Sequence, residues 1–132
     1  MDNTNEKSNL QESLGSIGEQ TACEYLLNLG YKVLERNYRR KWGEIDITSR
    51  APDMTLVFVE VRTMIQKPNG LIPEDQMSSA KIKKFKRACS AYAEYNKNLI
   101  DEKRGWRLDV VAITYSPADF DKPISLKHYQ NI

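Results

Sequence analysis

The most constraining stretch of this 132-residue chain is a pair of strand-like segments, Glu44–Ser49 and Thr55–Thr63, joined by Arg50-Ala51-Pro52-Asp53-Met54. β-Branched residues alternating with polar ones, interrupted by Pro and Asp, read as a hairpin. If the hairpin is centred on Asp53, Asp46 faces Glu60 and Glu44 faces Arg62. Directly opposed residues project from the same side of a sheet. One face then carries Ile45, Ile47, Val57, Val59 and Val61. The other carries Glu44, Asp46, Glu60 and Arg62, bordered by Leu56 and Phe58.

Two like charges across a strand pair cost on the order of 0.2–1 kcal/mol. Burial beside Leu56 and Phe58 adds to that cost, because desolvation disfavours the charged form. A divalent cation offsets it directly, since carboxylate oxygens are the hard ligands Mg ions prefer. Arg62 offsets part of it by pairing with Glu44. The competing reading is an exposed salt-bridge ladder wetted by solvent. A one-residue slip in register would dissolve the arrangement.

Around this hairpin the remaining pattern predicts one α/β domain over residues 9–132, preceded by a disordered tail at residues 1–8. Leu10, Leu14, Ile17, Thr21, Tyr25 and Leu29 recur at helical spacing from about Asn9 to Leu29, and Gly30 follows as a C-cap. Tyr31–Tyr38 reads as a strand and residues 39–42 as a basic connection. Residues 64–77 read as loop. A second helix, Ser78–Asn98, carries the apolar stripe Ile82, Phe85, Cys89, Tyr92 and Asn96. Strands Trp106–Tyr115 and Ile124–Tyr129 close the chain. The order αβββαβ plus a last short strand fits a mixed sheet flanked by helices.

No apolar run approaches the roughly 18 residues of a membrane span. Met1 to Gln11 is polar and lacks a signal-like apolar region, so a cytoplasmic protein is expected. Two cysteines, Cys23 and Cys89, and one histidine, His128, cannot assemble an ordinary four-ligand zinc site. Reduced thiols fit a cytoplasmic setting.

Charge is unevenly spread. Lys81, Lys83, Lys84, Lys86 and Arg87 form one basic run, and Arg36, Arg39, Arg40 and Lys41 another. Outside these nine residues, 11 basic side chains stand against 18 acidic ones. An acidic body with two basic patches attracts polyanions, of which phosphate backbones are the common case. The plainer reading of a lysine-rich helix face is a solvated surface.

The residues just described carry a resemblance. Gly15-Ser16-Ile17-Gly18-Glu19, Gly43-Glu44-Ile45-Asp46, Val57-Phe58-Val59-Glu60-Val61-Arg62, Lys81 and Arg107-Leu108-Asp109-Val110-Val111 resemble the YraN-like family of predicted endonucleases, distant relatives of archaeal Holliday junction resolvases. The resemblance spans about residues 13–129. It implies a restriction-endonuclease-like αβββαβ core of the PD-(D/E)XK type, acting on branched DNA with Mg or Mn. Glu19 then corresponds to the helix acid, Asp46 to the strand Asp, Glu60 to the acid of E-x-K, and Arg62 to its basic residue. Glu44 supports them. Arg39, Arg40, Lys41, Lys81, Lys83 and Lys84 would hold phosphates, contacts that position a substrate without reading sequence. The resemblance also implies a homodimer, although no interface patch is legible.

Three positions depart from the wider fold. Arg62 replaces Lys, Met64 a second basic residue, and Ile82 the usual Gln. Arg stays protonated and cannot take a proton from water, but it can stabilise charge on a phosphate. A catalytically silent nucleic-acid-binding domain and a protein-interaction module therefore remain as alternatives. Trp42 is expected to cap a core edge, with base stacking as its other use. Tyr92 and Tyr95 read as core and rim, Asp109 as a structural partner of Arg107 or of a helix residue, with a metal role as its other use, and His128 as a surface or edge residue.

Overall fold

β-Branched residues concentrated between Ile45 and Ile65 build the two central strands of a three-strand block that starts at Lys32, and helices on either side of this block cover its two faces. The computed structural model describes residues 3–71 and 78–132, with side chains described from residue 13 onward. The elements are α1 (Asn3–Asn28), β1 (Lys32–Arg40), β2 (Gly43–Arg50), β3 (Leu56–Ile65), α2 (Ser79–Tyr95), β4 (Trp106–Tyr115) and β5 (Ser125–Tyr129). They form one sheet in the order β1-β2-β3-β4-β5. β3 and β4 run parallel and the other neighbours antiparallel, so the sheet is mixed. This five-stranded α/β arrangement, flanked by two helices, is consistent with a restriction-endonuclease-like core. The loop expected at 64–77 begins later than read, because β3 extends to Ile65; residues 72–77 lie outside the described residues.

Helix α1 packs Ala22, Cys23 and Leu26 against Ile47, Val57, Val59, Val111 and Ile113. Helix α2 packs Phe85, Ala88, Cys89 and Tyr92 against Ile45, Leu56, Phe58 and Leu108 on the opposite face. Burying a side chain of this size contributes about 1.5–3 kcal/mol. The two layers together are what hold the sheet. The Ser78 hydroxyl accepts from the Lys81 N–H at 3.3 Å and sets the start of α2. Gly30, at φ +88, ends α1, and the Tyr31 N–H then returns to the Leu26 carbonyl at 3.0 Å. No helix among the described residues is long and apolar enough to cross a membrane.

Two sequence expectations need correction. Helix α1 begins at Asn3 rather than Asn9, and its buried stripe is not Thr21, Tyr25 and Leu29. Gly18, Ala22, Cys23 and Leu26 are buried instead, and Leu29 is exposed. Small residues let the helix approach the sheet closely, so they, and not the bulkiest side chains, fix the facing surface. Ile45 also departs from expectation. It packs on the α2 side with Tyr38, whereas Ile47 packs on the α1 side. Strict alternation would put both on one face. It breaks at Asp46, beside Asn37, whose φ of +56 lies in the left-handed region that Asn tolerates.

Candidate active site

The pairing of β2 with β3 runs from Arg50↔Leu56 to Ile47↔Val59, the register expected for a hairpin centred on Asp53, and stops there. β2 nevertheless stays on β1 as far as Arg40↔Gly43, and β3 stays on β4 as far as Ile65↔Tyr115. Each strand keeps its outer partner and loses its inner one, so the sheet opens between them. Asp46 is the first residue of the opening. Its Oδ2 accepts the Val61 N–H at 2.8 Å, satisfying a donor that a ladder bond would otherwise take. The Glu60 carboxyl is hydrogen-bonded to the same Asp46 side chain.

Burial is the main force acting on both acids. It pushes Asp46 above the usual carboxylate range against the lowering pull of the Val61 N–H, and the Glu19 and Glu44 charges add to the rise. Burial and the adjacent Asp46 charge push Glu60 up to about 8, while Arg62 pulls the other way. Two carboxylates sharing a hydrogen bond in a partly desolvated site cannot both ionise cheaply, so they hold one proton between them near neutral pH.

Glu19 approaches from the α1 side. Its position follows from Gly18, where an added Cβ would collide with the Thr63 hydroxyl and lie 3.1 Å from the Thr63 Cβ. Only glycine lets α1 lie this close to β3. The Glu19 carboxylate is paired with the Arg36 guanidinium at 3.6 Å. Among the described residues, no three His, Cys, Asp or Glu side chains stand close enough together to hold a metal ion. The acids that actually meet are two, Asp46 and Glu60.

Glu60 and Arg62 open into a cavity of about 510 Å³ on the α2 side. One wall is the β1–β2 turn, with Arg40, Lys41, Trp42 and Glu44. The other is α2, with Lys81, Lys84 and Arg87. Gly43 joins the walls. A Cβ there would lie 2.7 Å from the Lys84 carbonyl oxygen and 3.0 Å from the Ala88 Cβ, so the turn rests directly on the helix. Arg40 is further oriented by stacking over the Tyr38 ring, 4.4 Å from its centroid. Basic runs some 40 residues apart in sequence thus face one another across two carboxylates.

The other residues singled out in the sequence fall elsewhere. Arg39 and Lys83 are exposed and do not line the cavity. The expected edge role for Trp42 fits poorly, because it is 38% exposed and belongs to neither core cluster. Arg87, unassigned in the sequence, lines the α2 wall; its place in the same basic run was the available signal. Asp109 is fully buried and structural. Arg107 donates to it from Nε at 3.1 Å, and the Asn131 N–H at 3.0 Å. His128 corrects the surface assignment. It sits on the edge strand, but its ring is buried, with Nε2 2.7 Å from Asp109 and Nδ1 2.9 Å from the Tyr25 hydroxyl. Both ring nitrogens are thereby engaged. Cys23 and Cys89 are buried free thiols, and burial pushes Cys89 well above the ordinary thiol range.

Comparison with known proteins adds the kinship. Residues 18–113 match the model of the Uncharacterised protein family UPF0102. A UPF0102 protein of Desulforamulus reducens is 34% identical over 92% of this chain and 95% of its own length. One of Syntrophus aciditrophicus is 40% identical over 78% of this chain and 77% of its own length. A mycobacterial one, from Mycobacterium bovis, is 29% identical over 96% of both. The chain belongs to the UPF0102 family.

Proposed function

We propose that this UPF0102 protein is a metal-dependent, structure-selective endonuclease acting on branched DNA, built on the PD-(D/E)XK plan and distantly related to archaeal Holliday junction resolvases. The observation that supports this most is that Glu60, hydrogen-bonded to Asp46 behind it, opens with Glu44 and Arg62 into one cavity walled by two basic segments. Phosphodiester hydrolysis needs both halves, acids at the reacting centre and cations along the backbone.

The acid pair fits a divalent cation on its own chemistry. It offers hard oxygen donors, and burial, with the neighbouring negative charge adding to it, disfavours the charged form of the metal-free pair. Asp46 and Glu60 would hold Mg or Mn, with Glu19, paired to Arg36, reaching the ion only through water; when bound, the ion would lower the pKa of a coordinated water and polarise the scissile phosphate. Glu60 gives up its shared proton as the site loads. The Val61 N–H keeps the Asp46 carboxylate aimed into the opening. Arg62, always protonated, stabilises negative charge building on the phosphate and does not act as a base. Arg40, Lys41, Lys81 and Lys84 hold flanking phosphates and carry no sequence preference.

A second reading, binding without cleavage, is favoured by the pairing of only two carboxylates among the described residues and by Arg62 in place of Lys. Incubation with four-way junctions, flaps and duplexes, with Mg or Mn, separates the two. Cleavage of branched substrates that Asp46→Ala abolishes supports the nuclease. Salt-sensitive binding with no cleavage in either metal supports the silent binder.

A further inference from the structure

Two large apolar side chains line the cavity among its cations, and they differ: Phe85 is buried in the core, whereas Trp42, preceded in the chain by Arg40 and Lys41, is exposed. Leaving an indole 38% exposed forfeits burial that a core position would give it. The other tryptophan shows the contrast. Trp106 packs edge-on against Phe58 at 5.5 Å, partly buried against the core on the α2 side. The backbone that carries Trp42 is anchored. It lies in the two-residue connection between β1 and β2, next to Gly43, which is pressed against Lys84 and Ala88 of α2. An exposed aromatic among cations, on an anchored turn, is the combination by which proteins hold unpaired nucleotides: cations track the backbone and the ring takes a base face.

Resting on the nuclease reading, we propose that Trp42 stacks on an unpaired nucleobase of the strand whose phosphate lies by Glu60 and Arg62. The cavity therefore selects single-stranded or branch-point segments over continuous duplex. In a duplex both faces of every base are already covered by its neighbours, so the indole finds no partner without unstacking one. At a flap, a junction or a free strand a face is available at no such cost. Structure selectivity then comes from one side chain in addition to overall shape.

The test uses the full chain without divalent metal, a labelled single-stranded oligonucleotide, the matching blunt duplex and a four-way junction. The wild type is expected to bind the single strand and the junction more tightly than the duplex, with quenching of tryptophan emission on binding the single strand. Trp42→Ala should weaken single-strand affinity by roughly tenfold or more, the loss typical of removing one base-stacking aromatic, and leave duplex affinity unchanged. Trp42→Phe should keep most of the affinity while abolishing the quenching. Tyr95→Ala, which removes an aromatic 78% exposed on α2 outside the cavity, should change nothing. Unaltered single-strand affinity and preference in Trp42→Ala would overturn the stacking role and leave nucleic-acid binding standing. A wild type that binds none of the three in a salt-sensitive way overturns the nuclease reading and the inference together.

Discussion

The carboxyl groups of Asp46 and Glu60 share a hydrogen bond where β2 and β3 part, so the sheet opens at an acid pair rather than at an apolar seam. The pair is costly to the metal-free fold, and that cost can be measured.

Both acids are raised, so folding takes up a proton over the interval between the ordinary carboxylate range and the Glu60 value of about 8. This contribution to stability is fully present at pH below the ordinary range and is lost as pH rises through about 8. The melting temperature of metal-free protein should fall between pH 5 and pH 8.5. Glu60→Gln, which keeps the shape and removes the charge, should flatten that slope and melt several degrees higher at pH 8.5.

Loading the pair with Mg requires the proton to leave. Calorimetry in buffers of different ionisation enthalpy should register about one proton released per ion at pH 7 and less at pH 9. Glu60→Gln should release none.

Gly43→Ala should destabilise the fold by about 1–3 kcal/mol, combining an unfavourable φ of +149 with a Cβ 2.7 Å from the Lys84 carbonyl oxygen. It should also weaken binding of every nucleic acid alike, because the two basic walls separate. Denaturant midpoints read the first effect and fluorescence anisotropy the second.

Gly18→Ala should cost a similar amount through collision with Thr63. Thr63→Ala in the same chain should recover part of the loss, since the hydroxyl is the nearest obstacle. A double-mutant cycle gives the coupling. Additive losses would mean that α1 and β3 are not pressed together there.

Asp109→Ala leaves the Arg107 guanidinium and the buried His128 ring without their shared acceptor. It should cost about 3–5 kcal/mol, the usual penalty for breaking a buried ion pair. Asp109→Asn should cost less and leave metal response at Asp46 intact, because Asp109 belongs to the α1-side network with Tyr25 and His128.

The hairpin was legible because period-two alternation and the turn at Asp53 fix its register without help from the rest of the chain. The splaying at Asp46 was not. It depends on left-handed Asn37 across the strand pair and on a side chain capturing the Val61 N–H. The α1 face was misread because the helix presents its smallest residues, Gly18 and Ala22, where it touches the sheet, and periodicity counts only large apolar ones. Both basic runs were visible, but their meeting was not, since it is made by the contact of Gly43 with α2. His128 looked like a surface residue because the partner that buries its ring, Asp109, lies on another strand.

The central claim is that Asp46 and Glu60 together bind a divalent cation. Substoichiometric Mn added to isotope-labelled protein reports on it directly, because the paramagnetic ion broadens nearby amide signals. The Asp46, Glu60 and Val61 amides should broaden first, competition with Mg should restore them, and Asp46→Asn combined with Glu60→Gln should abolish the effect. Broadening that begins elsewhere, or persists unchanged in the double variant, would contradict the account.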